Sequence, residues 1–146
     1  MTERTVDSAG IAFFDAEGRV LLVHQTYGKK KWGVPGGQQN EGESIWDTAI
    51  RECKEEIGVV VHPDEMTLTG IYYLSHRNAY VYLFKVANWS GTAVPDGVEI
   101  GETAWFPLDD LPAPMSNFTI QRIRDAADYH GRVFLREQHV DGYVVG

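Results

Sequence analysis

Four glutamates and one arginine recur at set intervals between Gly37 and Val59. Five residues separate Gly37 from Glu43, seven more lead to Arg51-Glu52, and Glu55-Glu56 precede Gly58. On a helix, Glu52, Glu55 and Glu56 share one arc, and like charges at that spacing cost about 0.2–0.5 kcal/mol per pair. Two readings account for them. One is a solvated helix face, and Glu55-Glu56 alone fit it well. The other is a site for a hard divalent cation, Mg²⁺ or Mn²⁺, whose charge turns carboxylate repulsion into coordination.

The element that positions these acids is legible in the same stretch. Ser44 followed three residues later by Asp47 resembles a capping box, and Gly58 stands where a helix exits through a left-handed residue, so a helix is expected over 45–57. Trp46, Ala49, Ile50, Cys53 and Ile57 fall on one apolar stripe, beside the acidic arc. Just upstream, Trp32-Gly33-Val34-Pro35-Gly36-Gly37 carries two adjacent glycines. They allow either close backbone approach to a ligand or a plain tight turn.

The rest of the chain narrows the function class. Its 146 residues suggest a single domain spanning 1–146, and its net charge of -8 argues against a long nucleic-acid footprint, which relies on Lys and Arg. A polyphosphate ligand would then need metal ions to mediate. The first residues, Met1-Thr2-Glu3-Arg4, lack a secretory apolar run, and no segment reaches the roughly eighteen apolar residues of a membrane span. Cys53 is the one cysteine, so intramolecular disulfides are impossible and a cytoplasmic protein is expected. The cluster Lys29-Lys30-Lys31 reads equally as a phosphate screen or a solvated loop.

Ala9 to Phe14 and Val20 to Gln25 read as strands joined by a hairpin turn at Asp15-Ala16-Glu17-Gly18. Thr67 to Leu74 and Ala79 to Val86 read as a second hairpin around His76-Arg77-Asn78. Alternation sends Tyr80, Tyr82, Phe84 and Val86 to one face and Val81, Leu83 and Lys85 to the other. Trp32, Tyr73 and Tyr82 are conceivable base-stacking platforms, though each fits a packing role better. A short strand at 104–107 and a second amphipathic helix at 118–129 complete an α/β layered domain, a mixed sheet flanked by helices. The tail from Val133 is little constrained by its sequence.

Taken together, seven residues at fixed spacing would recur by chance at a given start roughly once in a billion. Gly37, Glu43, Arg51, Glu52, Glu55, Glu56 and Gly58 match the fixed positions of the Nudix box, so this stretch resembles that of the Nudix hydrolase family. Cys53 departs from the usual aliphatic residue and leaves the acids intact. The resemblance extends from about Ala9 to Pro112 and implies the family's α/β/α sandwich. It also implies a MutT-like enzyme that cleaves a phosphoanhydride in a nucleoside diphosphate linked to another moiety, with Mg²⁺ or Mn²⁺ as cofactor. Such substrates include nucleoside triphosphates and nucleotide sugars.

By the same resemblance Glu52, Glu55, Glu56 and the Gly36 carbonyl are metal ligands, and Arg51 orients carboxylates. The general base is either Glu52 or a later acid, Glu99 first and Glu102 next. A homodimer is common among such proteins. A noncatalytic nucleotide-sensing module on the same fold is the alternative, distinguished by changing Glu55 and Glu56 to Gln.

Overall fold

The computed structural model describes residues 5–139 and the backbone of 143–144. The readings of Met1 to Arg4, and of the tail at 140–142 and 145–146, lie outside the described residues. Along the chain run β1 (Ser8–Phe13), β2 (Val20–Gln25), β3 (Trp32–Gly33), β4 (Gly36–Gln38) and α1 (Ile45–Ile57). They are followed by β5 (Thr67–Leu74), β6 (Ala79–Val86), β7 (Ile100–Phe106), β8 (Met115–Ser116), α2 (Asn117–Asp128), β9 (Phe134–Gln138) and β10 (Tyr143–Val144). The strands form two five-stranded sheets, ordered β4-β1-β6-β5-β9 and β10-β8-β3-β2-β7. Both are mixed, with β1 parallel to β6, β5 parallel to β9 and β3 parallel to β8.

The expected first hairpin holds only at its turn. Phe14 and Val20 make one antiparallel bridge, and beyond it β1 and β2 part into different sheets. Their apolar runs explain the parting: Ile11 and Phe13 bury toward one core while Ala12 buries toward another, and Leu21 and Val23 part from Val20 and Leu22 in the same way. Strands buried on both faces need cover on both sides. The second hairpin forms as expected, β5 against β6. Along β6, Tyr82, Phe84 and Val86 face the first core and Val81 and Leu83 the second, while Tyr80 reaches solvent.

Helix α1 covers the first core through Ala49, Cys53 and Ile57, and α2 covers the second through Ile123 and Ala126, giving the α/β/α sandwich. Trp46 departs from the expected stripe and is half exposed, because Ile45 packs against the core at that end of the helix. The α1 boundaries have local causes. Ser44 Oγ accepts from the Asp47 amide, and Gly58 sits at φ 73°, its N–H bonded to the Lys54 carbonyl. Among the described residues no helix is long and apolar enough to cross a membrane.

Candidate active site at the α1 and β4 junction

The acidic face of α1 lies against the glycine strand β4. Gly36 pairs with Gly10 and Gly37 with Ala9 of β1. Neither glycine has a positive φ, so it is space that requires them. A Cβ on Gly36 would stand 2.6 Å from the Gly10 Cα, and one on Gly37 would stand 2.6 and 2.7 Å from the two Glu52 carboxylate oxygens. The adjacent glycines therefore seat Glu52 and let β4 lie flat on β1.

Glu56 is buried, 7% exposed, with its Oε1 accepting from the Gly36 N–H at 2.8 Å. Burial pushes its carboxyl up to about 8, and the charges of Glu52, Glu99 and Asp96 push the same way. Among the described residues no cation pairs with it. Glu52 is also raised, first by burial, while Arg51 counteracts. Glu55 is the open member, its side chain 58% exposed.

Arg51 ties the arc together. Its Nε donates to Glu43 Oε2 at 2.8 Å, Nη1 to Glu52 Oε1 at 2.8 Å and to Glu55 Oε2 at 3.2 Å, and Nη2 to the Gln38 carbonyl at 3.0 Å. The partner that sequence reasoning missed is Glu43, which Arg51 holds down to a pKa of about 2, helped by the Thr48 hydroxyl and the Asn40 amide. Helical spacing does not reveal this pair, since Glu43 lies eight residues before Arg51, off the helix.

Glu99 reaches the same space from the loop before β7. Asp96 Oδ1 accepts from the Val98 and Ile100 amides, the Asp96 N–H bonds the Glu56 carbonyl, and the Glu99 carbonyl accepts from the Thr26 N–H. These bonds strap the loop to the end of α1 and to β2. The Glu99 charge then acts on Glu52, Glu56 and the Tyr27 phenol, which burial and these acids push upward. Glu102 lies apart, 3.8 Å from His24.

Trp32 is stacked on His24, 4.4 Å between ring centres, and buried in the second core. Tyr73 bonds Asn78 and packs on Tyr80. The aromatic platforms weighed from the sequence are thus occupied by packing.

Among the described residues no three His, Cys, Asp or Glu side chains form a ready metal cluster, because Glu52 and Glu55 lean onto Arg51. The donor set nonetheless suits a hard cation. Glu56 is a buried carboxyl with no paired cation among the described residues, Glu52 stands beside it, and Glu55 is held by a 3.2 Å contact from which a rotamer change frees it.

Gly37→Ala should keep the fold, since only the end of the Glu52 side chain must move, yet lower kcat about 10- to 100-fold by displacing that carboxylate. Unchanged kinetics in the purified variant would count against Glu52 at this position. The Glu43 carboxyl has a folded pKa below its ordinary 4.5, so its contribution is present above that value and is lost as pH falls toward about 2. Chemical denaturation between pH 5 and pH 2.5 should show a steeper loss of stability for the native chain than for Glu43→Gln. Parallel curves would remove this role.

A two-sheet sandwich with one helix on each face and an acidic helix packed on a glycine strand defines the class of fold. The crystal structure of a MutT NUDIX hydrolase from Burkholderia pseudomallei superposes with a TM-score of 0.74 at 25% identity, over 84% of this chain and 98% of that one. The NUDIX domain family model matches residues 4–126, and the chain belongs to the Nudix hydrolase family. A nucleoside triphosphate pyrophosphatase/Nudix hydrolase fusion protein of Bifidobacterium longum is 34% identical over 56% of this chain and 17% of its own length. A MutT-like protein of Streptomyces ambofaciens is 28% identical over 87% of this chain and 79% of its own length. The chain thus spans less than a fifth of the fusion protein.

Proposed function

We propose that this chain is a single-domain, cytoplasmic, divalent-metal-dependent pyrophosphohydrolase that cleaves a phosphoanhydride in a nucleoside diphosphate derivative. The observation that carries the reading is the convergence of Glu52, Glu56 and Glu99 around the Gly36-Gly37 strand, with Glu56 buried and lacking a paired cation among the described residues. Acids gathered in one place repel a polyphosphate unless a cation lies between them. A bound Mg²⁺ or Mn²⁺ supplies that charge neutralisation and activates the attacking water.

Glu56 and Glu52, joined by Glu55 and the Gly36 carbonyl, are the residues that would hold the cation. Arg51 fixes the direction of Glu52 and Glu55 through its Nη1 while Glu43 and the Gln38 carbonyl hold the other side of the guanidinium. Glu99 is the proton acceptor in this reading. It stands on an exposed loop where water has access, whereas one Glu52 oxygen is already committed to Arg51. The names of the relatives, a nucleoside triphosphate pyrophosphatase fusion among them, support this substrate class.

The test is a panel of nucleoside triphosphates, nucleotide sugars and other nucleoside diphosphate conjugates, with Mg²⁺ or Mn²⁺ and identification of both products. Cleavage at an anhydride, abolished by chelator, is the expected result. Folded protein that turns over none of them overturns the reading in favour of a noncatalytic nucleotide-binding module.

A further inference from the structure

Two loops meet beside the acid cluster, and both expose apolar side chains. The first, between β2 and β3, turns back tightly: the Lys30 N–H donates to the Tyr27 carbonyl at 3.0 Å, with Gly28 at φ 59° and Lys30 at φ 52°. The second precedes β7 and is tied to the end of α1. Its Val94 N–H donates to the Ile57 carbonyl and its Asp96 N–H to the Glu56 carbonyl, both at 2.9 Å. Thr26 joins the loops, its N–H donating to the Glu99 carbonyl and its hydroxyl to the Val98 carbonyl. Three of the seven large apolar side chains exposed among the described residues stand on these two loops, Tyr27, Val94 and Val98. A single exposed apolar residue needs no explanation, but three on loops that bond each other and one helix end are a local concentration. Tyr27 is 53% exposed, yet its phenol end is sheltered. Burial first, then the charges of Glu99, Glu56 and Glu52, push that phenol upward, so the ring stands at the mouth of the acid cluster.

We infer that the Tyr27 ring is the platform on which a planar ring of the substrate stacks, the nucleobase of the nucleoside diphosphate derivative. The inference rests on the hydrolase reading for the placement of a nucleotide at Glu52 and Glu56. Trp32, Tyr73 and Tyr82 are already packed against other side chains, whereas Tyr27 has no ring partner among the described residues. Backbone hydrogen bonds at Thr26 and at the Tyr27 carbonyl fix its attachment, so presenting the ring to a ligand costs little ordering. A neutral ring beside exposed valines has nothing to offer a phosphate, and neighbouring acids repel one. An uncharged planar group suits it, because aromatic rings stack on the face of any base. Substrate phosphates and substrate base are thereby sorted, the former to the acids and their cation, the latter to the apolar rim. Stacking selects a ring over no ring and is tolerant of which base carries it. Tyr27 is in this account a positioning residue that holds the substrate and takes no part in proton transfer.

The experiment uses the native chain, Tyr27→Phe and Tyr27→Ala, with Leu135→Ala as a control that removes an exposed apolar side chain from the edge of the other sheet. Adenosine 5′-monophosphate carries a base and no anhydride, so its binding is measured by calorimetry with Mg²⁺ and without turnover. Tyr27→Ala should weaken it about tenfold, and Tyr27→Phe, which keeps the ring, less than about twofold. Inorganic tripolyphosphate, which has no ring, should bind all four proteins alike. Kinetics then follow with ATP, GTP, CTP and ADP-ribose. Any of these that is turned over should show a KM about tenfold higher in Tyr27→Ala, with kcat changed less than about threefold and both values restored in Tyr27→Phe. Equal affinity for the monophosphate in the native chain and Tyr27→Ala overturns the inference. So does a loss in Tyr27→Phe as large as that in Tyr27→Ala, or an equal loss for tripolyphosphate. Monophosphate binding that responds as expected, with no turnover of any compound, overturns the hydrolase reading alone.

Discussion

Glu56→Gln should lower kcat about a thousandfold while leaving the protein folded. The substitution keeps the volume and a carbonyl oxygen that can accept from the Gly36 N–H, so the packing around this buried position survives. What disappears is a carboxyl that burial and three neighbouring acids keep protonated and that a bound cation would draw into its charged form. An amide oxygen is a poor substitute for a carboxylate toward a hard divalent cation, and charge neutralisation is the main chemical task of the site. A thousandfold loss corresponds to about 4 kcal/mol of transition-state stabilisation.

Comparison across the arc sharpens this expectation. Glu52→Gln should cost a similar factor and also weaken metal affinity, because it loses both a ligand and the carboxylate that Arg51 orients. Glu55→Gln should cost less, about tenfold, since that side chain is mostly in solvent. Glu99→Gln should lower kcat about a hundredfold with metal affinity retained, the behaviour of a proton acceptor rather than a ligand. Steady-state kinetics with a Mg²⁺ titration for each variant separates these cases. Full activity in Glu56→Gln would remove the metal reading of the acid cluster.

How far the site was readable follows from how local each signal is. The helix that carries Glu52, Glu55 and Glu56 was legible to the residue because its start and stop are set locally, by the Ser44 hydroxyl on the Asp47 amide and by the left-handed Gly58. Glu43 matched the motif, but its pairing with Arg51 was not foreseen. That contact depends on how the loop after β4 folds back on the helix, which no periodicity encodes. The role of Gly36 and Gly37 was open between turn and close approach until β1 and Glu52 were seen on either side of them.

The split of β1 and β2 between two sheets escaped for a related reason. An unbroken apolar run shows that a strand is buried on both faces and says nothing about which neighbours bury it. The β9 strand lay in the stretch judged little constrained, because Leu135, Arg136 and Glu137 are exposed along an edge and give no apolar alternation. The basic residues around the cavity beside Gly36 and Gly37 were the least legible. Lys31 was read equally as part of a phosphate screen or of a solvated loop, His76 and Arg77 as a hairpin turn, and Arg122 was given no role within the second helix. Only the packing of α2 against the β5–β6 hairpin brings them together.

That packing is also where the largest stability effect is expected. Asp125 is 2% exposed on the inner face of α2, and four hydrogen bonds saturate its carboxylate. Tyr72 Oη donates at 2.8 Å, Arg136 Nε at 2.6 Å and Nη2 at 2.8 Å, and Gln121 Nε2 at 2.8 Å. Burial alone would raise its pKa, yet these donors hold it below the ordinary carboxylate value. Asp125→Ala therefore leaves a buried phenol without its acceptor and Arg136 without its partner. Tyr72 cannot easily turn away, since its ring fills the space that the missing side chain of Gly70 leaves open. Arg136 is 38% exposed and can rehydrate, which lowers the cost below that of a fully buried pair, to about 3 kcal/mol. For a chain of this length that is a fall in Tm of roughly 6–12 °C.

The loss should reach function as well. Asp125 is the tie between α2 and strands β5 and β9, and α2 carries Phe118, Thr119 and Arg122 into the cavity wall. Loosening it should raise KM more than it lowers kcat, because the carboxylates on α1 belong to the other core and keep their supports. Asp125→Asn, which retains the shape and one acceptor oxygen but turns the other into an NH2 donor and loses the charge, should fall between the native chain and Asp125→Ala in Tm. An Asp125→Ala protein as stable as the native chain would mean that α2 is held by its apolar face alone.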